Sequence, residues 1–121
     1  MKLMTKAIEK RFAQVGRQED KGDNAIVIAK FFNPCGSWKW YATEYDTKTK
    51  TFFGYVKGTE NELGYFSLAE LQEYKSGGVP IVDSSGNKLG EIGGLGIERD
   101  LHFKEMTLGE VMAKVEQGIH V

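Results

Sequence analysis

The chain has 121 residues and a formal net charge of −1, which suits one domain, 1–121, with a single core and no linker. A hydrophobic fraction of 40%, with 12% aromatic residues, excludes disordered and low-complexity classes. No apolar run approaches the ~20 residues that a membrane helix needs. Cys35 is the single cysteine, so an intramolecular disulfide and a thiolate metal cage are both excluded. The opening Met1-Lys2-Leu3-Met4-Thr5-Lys6 lacks the apolar core of an export signal, and a cytoplasmic protein is expected. The charge is uneven. Residues 1–57 carry 11 Lys/Arg against 6 Asp/Glu, whereas 58–121 carry 5 against 11. Neither a strongly basic nucleic-acid binder nor an acidic DNA mimic has that balance, although separated halves would present a basic or an acidic patch.

In chain order, Thr5 is placed to cap a helix over about Lys6–Val15. Met4, Ile8, Phe12 and Val15 form its apolar stripe, and Gly16 its stop. Arg17–Asn24 reads as a polar loop turning at Gly22-Asp23-Asn24. Ala25–Phe32 is a nearly continuous apolar run and predicts a central strand, broken by Asn33-Pro34-Cys35-Gly36. Ser37–Tyr45 alternates, with Trp38, Trp40, Ala42 and Glu44 on one side and Lys39, Tyr41, Thr43 and Tyr45 on the other. A polar hairpin loop, Asp46–Lys50, leads to a return strand, Thr51–Lys57. Leu63–Phe66 predicts a short fourth strand. Ser67-Leu68-Ala69-Glu70 is a capping box that launches a helix to about Tyr74, burying Leu68 and Leu71. Gly77-Gly78 follows the helix end. Val79–Val82 and Lys88–Ile92 flank Asp83–Asn87 as a hairpin, and Gly93-Gly94-Leu95-Gly96 reads as flexible. Ile97–Lys104 alternates like another strand. Thr107-Leu108-Gly109-Glu110, a second capping box, opens a helix with Leu108, Val111, Met112, Val115 and Ile119 on one face. The fold class is therefore α+β, a mainly antiparallel sheet of four to five strands flanked by about three helices, plus an inserted hairpin.

Several strings occur together in order: Lys30-Phe31-Phe32-Asn33-Pro34, Trp38 to Tyr45, Phe52-Phe53-Gly54-Tyr55-Val56, Glu62 to Leu71, and Gly96-Ile97-Glu98-Arg99-Asp100-Leu101-His102-Phe103. This set closely resembles the DUF2958 family of small bacterial proteins over about residues 25–74 and 94–111. The resemblance carries no catalytic residues. It implies cargo of plasmids, conjugative elements and phages, and accessory roles such as counteracting host nuclease defences. Shorter members pass almost directly from the Ser67-capped helix to the Gly-Leu-Gly-Ile-Glu-Arg-Asp string, so residues 76–93 read as a hairpin insertion, either a partner-binding finger or a tolerated surface elaboration.

Residues that could carry chemistry are few. Cys35 with His102 is the one pairing that would supply a nucleophile and base, and nothing in their spacing supports it. Glu98, Asp100 and His102 would share one face of a strand about 6.5–7 Å apart, too far to converge on one small cation without bending. The glycines before Ile97 precede a strand, not a helix, and make no phosphate loop. Arg99, on an apolar face, calls for a partner, and Glu44 is the candidate for a structural ion pair. No cofactor or metal is implied.

Eleven of the fourteen aromatic residues lie between Phe31 and Phe66. Either both sheet faces are covered, or one remains open as a platform. The candidate binding surface comprises Trp38, Lys39, Trp40, Tyr41, Tyr45, Lys48, Lys50 and Tyr55. Such rings would anchor a protein partner or, beside lysines, stack single-stranded bases. The leading reading is a non-catalytic binding protein, an anti-CRISPR or anti-restriction inhibitor acting by protein contact. A single-strand nucleic-acid accessory protein and a small metal-dependent enzyme are the alternatives.

Overall fold

The structure, a computed structural model, describes residues 2–76, 79–92 and 95–121. Helix α1 spans Lys6–Val15. The Thr5 hydroxyl accepts the Ile8 amide at 3.2 Å, and Gly16 closes the helix at φ 70°. Tight turns over Glu19–Asn24 follow. Strands β1 (Ile26–Val27), β2 (Ala29–Phe32), β3 (Lys39–Asp46), β4 (Thr51–Lys57) and β5 (Asn61–Ser67) lead into α2 (Leu68–Glu73). Then come β6 (Lys75–Ser76), β7 (Val79–Val82), β8 (Lys88–Ile92), β9 (Leu95–Gly96), β10 (Glu98–Arg99), β11 (Met106–Thr107) and α3 (Leu108–Glu116). The hydroxyl half of each capping box forms: the Ser67 hydroxyl accepts the Glu70 amide at 3.0 Å and the Thr107 hydroxyl accepts that of Glu110 at 3.2 Å, while donating to the Glu110 carboxylate at 3.3 Å.

The central sheet is α+β in character, five strands in the order β10-β2-β3-β4-β5, every neighbour antiparallel. Helices α1 and α2 cover one face, where Phe12, Phe31, Ala42, Phe52, Phe66, Leu68 and Leu71 are buried together. Helix α3 covers the other, where Val27, Tyr41, Tyr55, Leu108, Val111 and Val115 form a second cluster. Three layers thus bury most of the aromatic surface, and area burial of this kind is the main favourable term in folding.

Three local readings need correction. The run Ala25–Phe32 is not one strand. It breaks at Ile28, so that Val27 enters the α3 core while Ile28 packs toward α1. Residues 97–104 do not form a long strand either. Only Glu98–Arg99 pairs with β2, and the chain then turns because the Asp100 carboxylate accepts the His102 amide at 2.9 Å. Third, β3 does not alternate evenly. Its register with β4 shifts between Ala42 and Glu44, a bulge that places Thr43 as the extra residue and exchanges the faces beyond it. Trp40, Ala42 and Tyr45 therefore lie on the α1 face, and Tyr41 and Glu44 on the α3 side.

Gln18 locks this bulge. The side chain is 2% exposed and donates to the carbonyls of Thr43 (2.7 Å) and Ile26 (2.9 Å), while its own oxygen accepts the Ile26 amide. Gly54 is the other requirement, because a Cβ there would meet the backbone of Tyr41 and Ala42.

The hairpin β7–β8 forms where expected, with the Asp83 carboxylate accepting the amides of Ser85 and Asn87. Leu95–Gly96 is not loose but pairs with Lys75–Ser76 as a stem. The glycine pairs 77–78 and 93–94 lie outside the described residues.

Candidate functional site

The eight candidate surface residues do not assemble into one platform. Tyr41 is fully buried and Tyr55 only 4% exposed, their rings 6.3 Å apart beneath α3. The Tyr41 hydroxyl donates to the Val121 carbonyl at 3.0 Å, and its pKa is pushed up to about 12 by burial and then by the Asp100 carboxylate. Trp40 and Tyr45 pack half-buried against the opposite core, Tyr45 with its ring 4.7 Å from Phe52. Burial, and next the Glu9 carboxylate, raise the Tyr45 hydroxyl pKa. Trp38 is 42% exposed and lies over Gly58, where a Cβ would strike its ring. Lys48 and Lys50 sit exposed in the β3–β4 turn. Trp38 and this turn lie at opposite ends of β3, roughly 25 Å apart by strand rise. The dispersal has two causes: α3 covers Tyr41 and Tyr55, and the face exchange at the bulge moves Tyr45 from the Tyr41 side to that of Trp38 and Trp40.

Two smaller groupings replace the platform. At the Trp38 end, Lys39 and Lys57 are directly opposed across β3 and β4. Lys39 Nζ lies 3.4 Å from Nδ1 of His120, and the three border a cleft of about 170 Å³. Desolvation and then the nearby Lys30 and Lys57 charges lower the Lys39 pKa. The cations, however, lie on the α3 side, whereas Trp38 shares the α1 side with Trp40.

At the other end, β5 is an outer strand of the central sheet. On the α3 side of β4 and β5, beyond the helix, Phe53, Leu63 and Tyr65 are together. Tyr65 is 76% and Leu63 49% exposed, and the Phe53 and Tyr65 rings meet edge-to-face at 5.0 Å. A cleft of about 580 Å³ begins at these rings and runs past Glu44, Tyr45 and Lys48 to Arg17. Tyr45 and Lys48 are thus the candidates that do border this region, and Lys50 lines a separate groove near Leu68. The sequence reading missed Phe53, Leu63 and Tyr65 as a surface. Alternation along β5 marked the side of each residue, but only the sheet order reveals that no strand follows.

Two of the buried or half-buried charges, Lys30 and Asp100, hold each other. Lys30, 2% exposed, pairs with Asp100 at 3.1 Å and also approaches the Phe32 and Tyr41 rings. Burial opposes ionisation of Asp100, but the His102 amide and Lys30 ammonium outweigh it and hold its pKa below the ordinary value. Asp100 does not stand in a row with Glu98 and His102, because the backbone turns there. Nor do Glu44 and Arg99 form the expected ion pair: Arg99 aligns with Phe31 on the α1 side, Glu44 with Phe53 on the α3 side. Glu44 accepts the Gln18 amide at 3.3 Å instead. Cys35 is exposed, its amide bound to the Asn33 side chain. Among the described residues no group of three or more His, Cys, Asp or Glu could hold a metal ion, and no helix is long and apolar enough to cross a membrane.

A three-layer α+β domain with an open, aromatic sheet edge defines the class. Residues 3–84 match the family model described as "Protein of unknown function (DUF2958)", and the chain belongs to that family. The match takes in α1 through β7 and stops in the Asp83–Asn87 loop. No curated protein and no solved structure matches the chain.

Proposed function

We propose that this chain is a non-catalytic binding protein that docks a partner protein by strand addition along the β5 edge. The observation that carries the reading is the exposure of Tyr65 and Leu63 on a seven-residue outer strand. An edge presents unpaired amides and carbonyls, and natural sheets ordinarily blunt it with proline, lysine, a short strand or a covering segment. Here there is no proline or lysine, and apolar rings flank the edge. Strand addition supplies affinity through the main chain and specificity through alternate side chains. The partner segment that fits is extended, with apolar residues at every second position facing Leu63 and Tyr65.

The role we attach to this surface is cytoplasmic and anti-defence: contact with a host nuclease complex of CRISPR or restriction type on behalf of a mobile element or phage. Support comes from the resemblance of the strings above and from side chains engaged in structure. In cells carrying such a defence, the chain is expected to protect incoming DNA. Tyr65→Lys is expected to abolish protection while leaving the far-UV circular dichroism unchanged. Protection that survives Tyr65→Lys contradicts the docking edge.

A second reading rests on Lys39, Lys57 and His120. Two opposed lysines without an ion pair among the described residues suit a phosphate chain, in keeping with a single-strand nucleic-acid accessory role. A rise in the fluorescence anisotropy of a labelled oligonucleotide on adding the chain, reversed by salt and lost in Lys39→Ala/Lys57→Ala, is its test; no rise at low salt contradicts it.

A further inference from the structure

The β5 edge is complementary to itself, and we infer that two copies of this chain pair through it, antiparallel, about a twofold axis at Gly64. This rests on the strand-addition reading and names a partner for the same edge.

Hydrogen-bond direction fixes which residues of β5 face outward. The Leu68 amide donates to the Lys50 carbonyl at 3.0 Å, and the Gly58 amide to the Glu60 carbonyl at 3.2 Å. These bonds bracket the β4–β5 ladder, whose register pairs Thr51 with Ser67 through to Lys57 with Asn61. Bonded and non-bonded pairs alternate along an antiparallel ladder. Glu62, Gly64 and Phe66 therefore point their backbone groups inward at β4, and Asn61, Leu63, Tyr65 and Ser67 point theirs outward.

A second copy must present outward residues to outward residues. The register centred on Gly64 uses all of them: Asn61 meets Ser67 of the second copy, Leu63 meets Tyr65, and each pair is repeated by the twofold axis. A shift of the axis by one residue leaves an outward group at the strand end without a counterpart. The same register places Leu63 against the Tyr65 ring on the α3 side at both ends, covering two exposed apolar side chains. Cross-strand aromatic–aliphatic pairs of this kind stabilise antiparallel sheets. Glu62, the only charged residue of β5, meets Phe66 of the second copy, so no like charges oppose. Gly64 meets Gly64, leaving the axis free of side chains. Such an interface is isologous and closes at two, joining two central sheets of five strands into one continuous sheet.

The contact is one strand wide and falls below the roughly 1,000 Å² expected of a permanent interface. The dimer is accordingly concentration-dependent and exchangeable, and it shields the edge until a competing strand displaces the second copy.

Light scattering behind size exclusion, across micromolar to millimolar loading, combined with residue-resolved amide exchange, tests this. The mass is expected to rise from 13.5 kDa toward twice that value. Exchange at Leu63 and Tyr65 is expected to slow about tenfold or more as the dimer fills, with Glu62, Gly64 and Phe66 protected at every concentration. Tyr65→Lys and, separately, Leu63→Lys are expected to hold the mass at 13.5 kDa with an unchanged fold. A wild-type chain monomeric throughout overturns the dimer but not the docking edge, which the protection assay judges alone. A dimer that persists in both variants, or that forms without slower exchange at Leu63 and Tyr65, also overturns it.

Discussion

Gly54, Gln18 and Asp100 each hold a place in this fold that residue type alone does not announce. Gly54→Ala sets a Cβ into the Tyr41–Ala42 backbone at the bulge, where no side chain can swing aside, and a loss of about 3 kcal/mol in urea unfolding is expected. Gln18 looked like one more polar loop residue. Its burial follows from the bulge, which leaves the Thr43 carbonyl turned out of the ladder, and no local pattern forecasts a bulge. The Lys30–Asp100 pair was hidden for a related reason: the strand assumed over Ile97–Lys104 would have left Asp100 on a solvated face. Asp100→Asn leaves the Lys30 ammonium buried without its counter-charge and is expected to cost about 3 kcal/mol at neutral pH, whereas Lys30→Met/Asp100→Leu is expected to recover much of that loss. The pH dependence has a definite sign. The folded-state pKa of Asp100 is depressed, so its contribution is complete above the unfolded value, about 3.9, and fades as pH falls through the folded value. The Asp100→Asn chain should lack that part of the acid transition, a difference read from paired urea curves between neutral pH and pH about 3.

At the scale of elements, the helices were the most legible. Each start was signalled by a hydroxyl residue, Thr5, Ser67 or Thr107, and each hydroxyl does accept an amide three residues on. Ser67→Ala is expected to lower stability by about 1 kcal/mol, which thermal unfolding will resolve. Strands were legible where alternation held and failed where a bulge or kink reset the period, at Thr43 and at Ile28. The edge position of β5 was not legible at all. Order within a sheet depends on pairings far apart in the chain, such as β10 with β2, and local periodicity carries no such information.

At the scale of the molecule, both sheet faces are occupied by helices, so the aromatic residues serve two cores and leave a narrow surface at β5. Among the described residues β7 and β8 pair only with each other, and Ile81, Val82 and Leu89 are exposed. Excising residues 79–92, so that the flanking glycines join Ser76 to Leu95, is expected to change stability by less than about 1 kcal/mol and to leave the circular dichroism of the sheet intact. Collapse of the fold would show that the hairpin belongs to the domain.

The proposed binding depends on the β5 edge as the contact surface. Amide exchange on the chain bound to its proposed partner, a host nuclease complex, is the direct measurement. Protection gained at Leu63 and Tyr65 beyond that of the free monomer is the predicted result. A complex in which those amides exchange as freely as in the monomer, with protection gained instead around Trp38, Lys39 and Lys57, would contradict it.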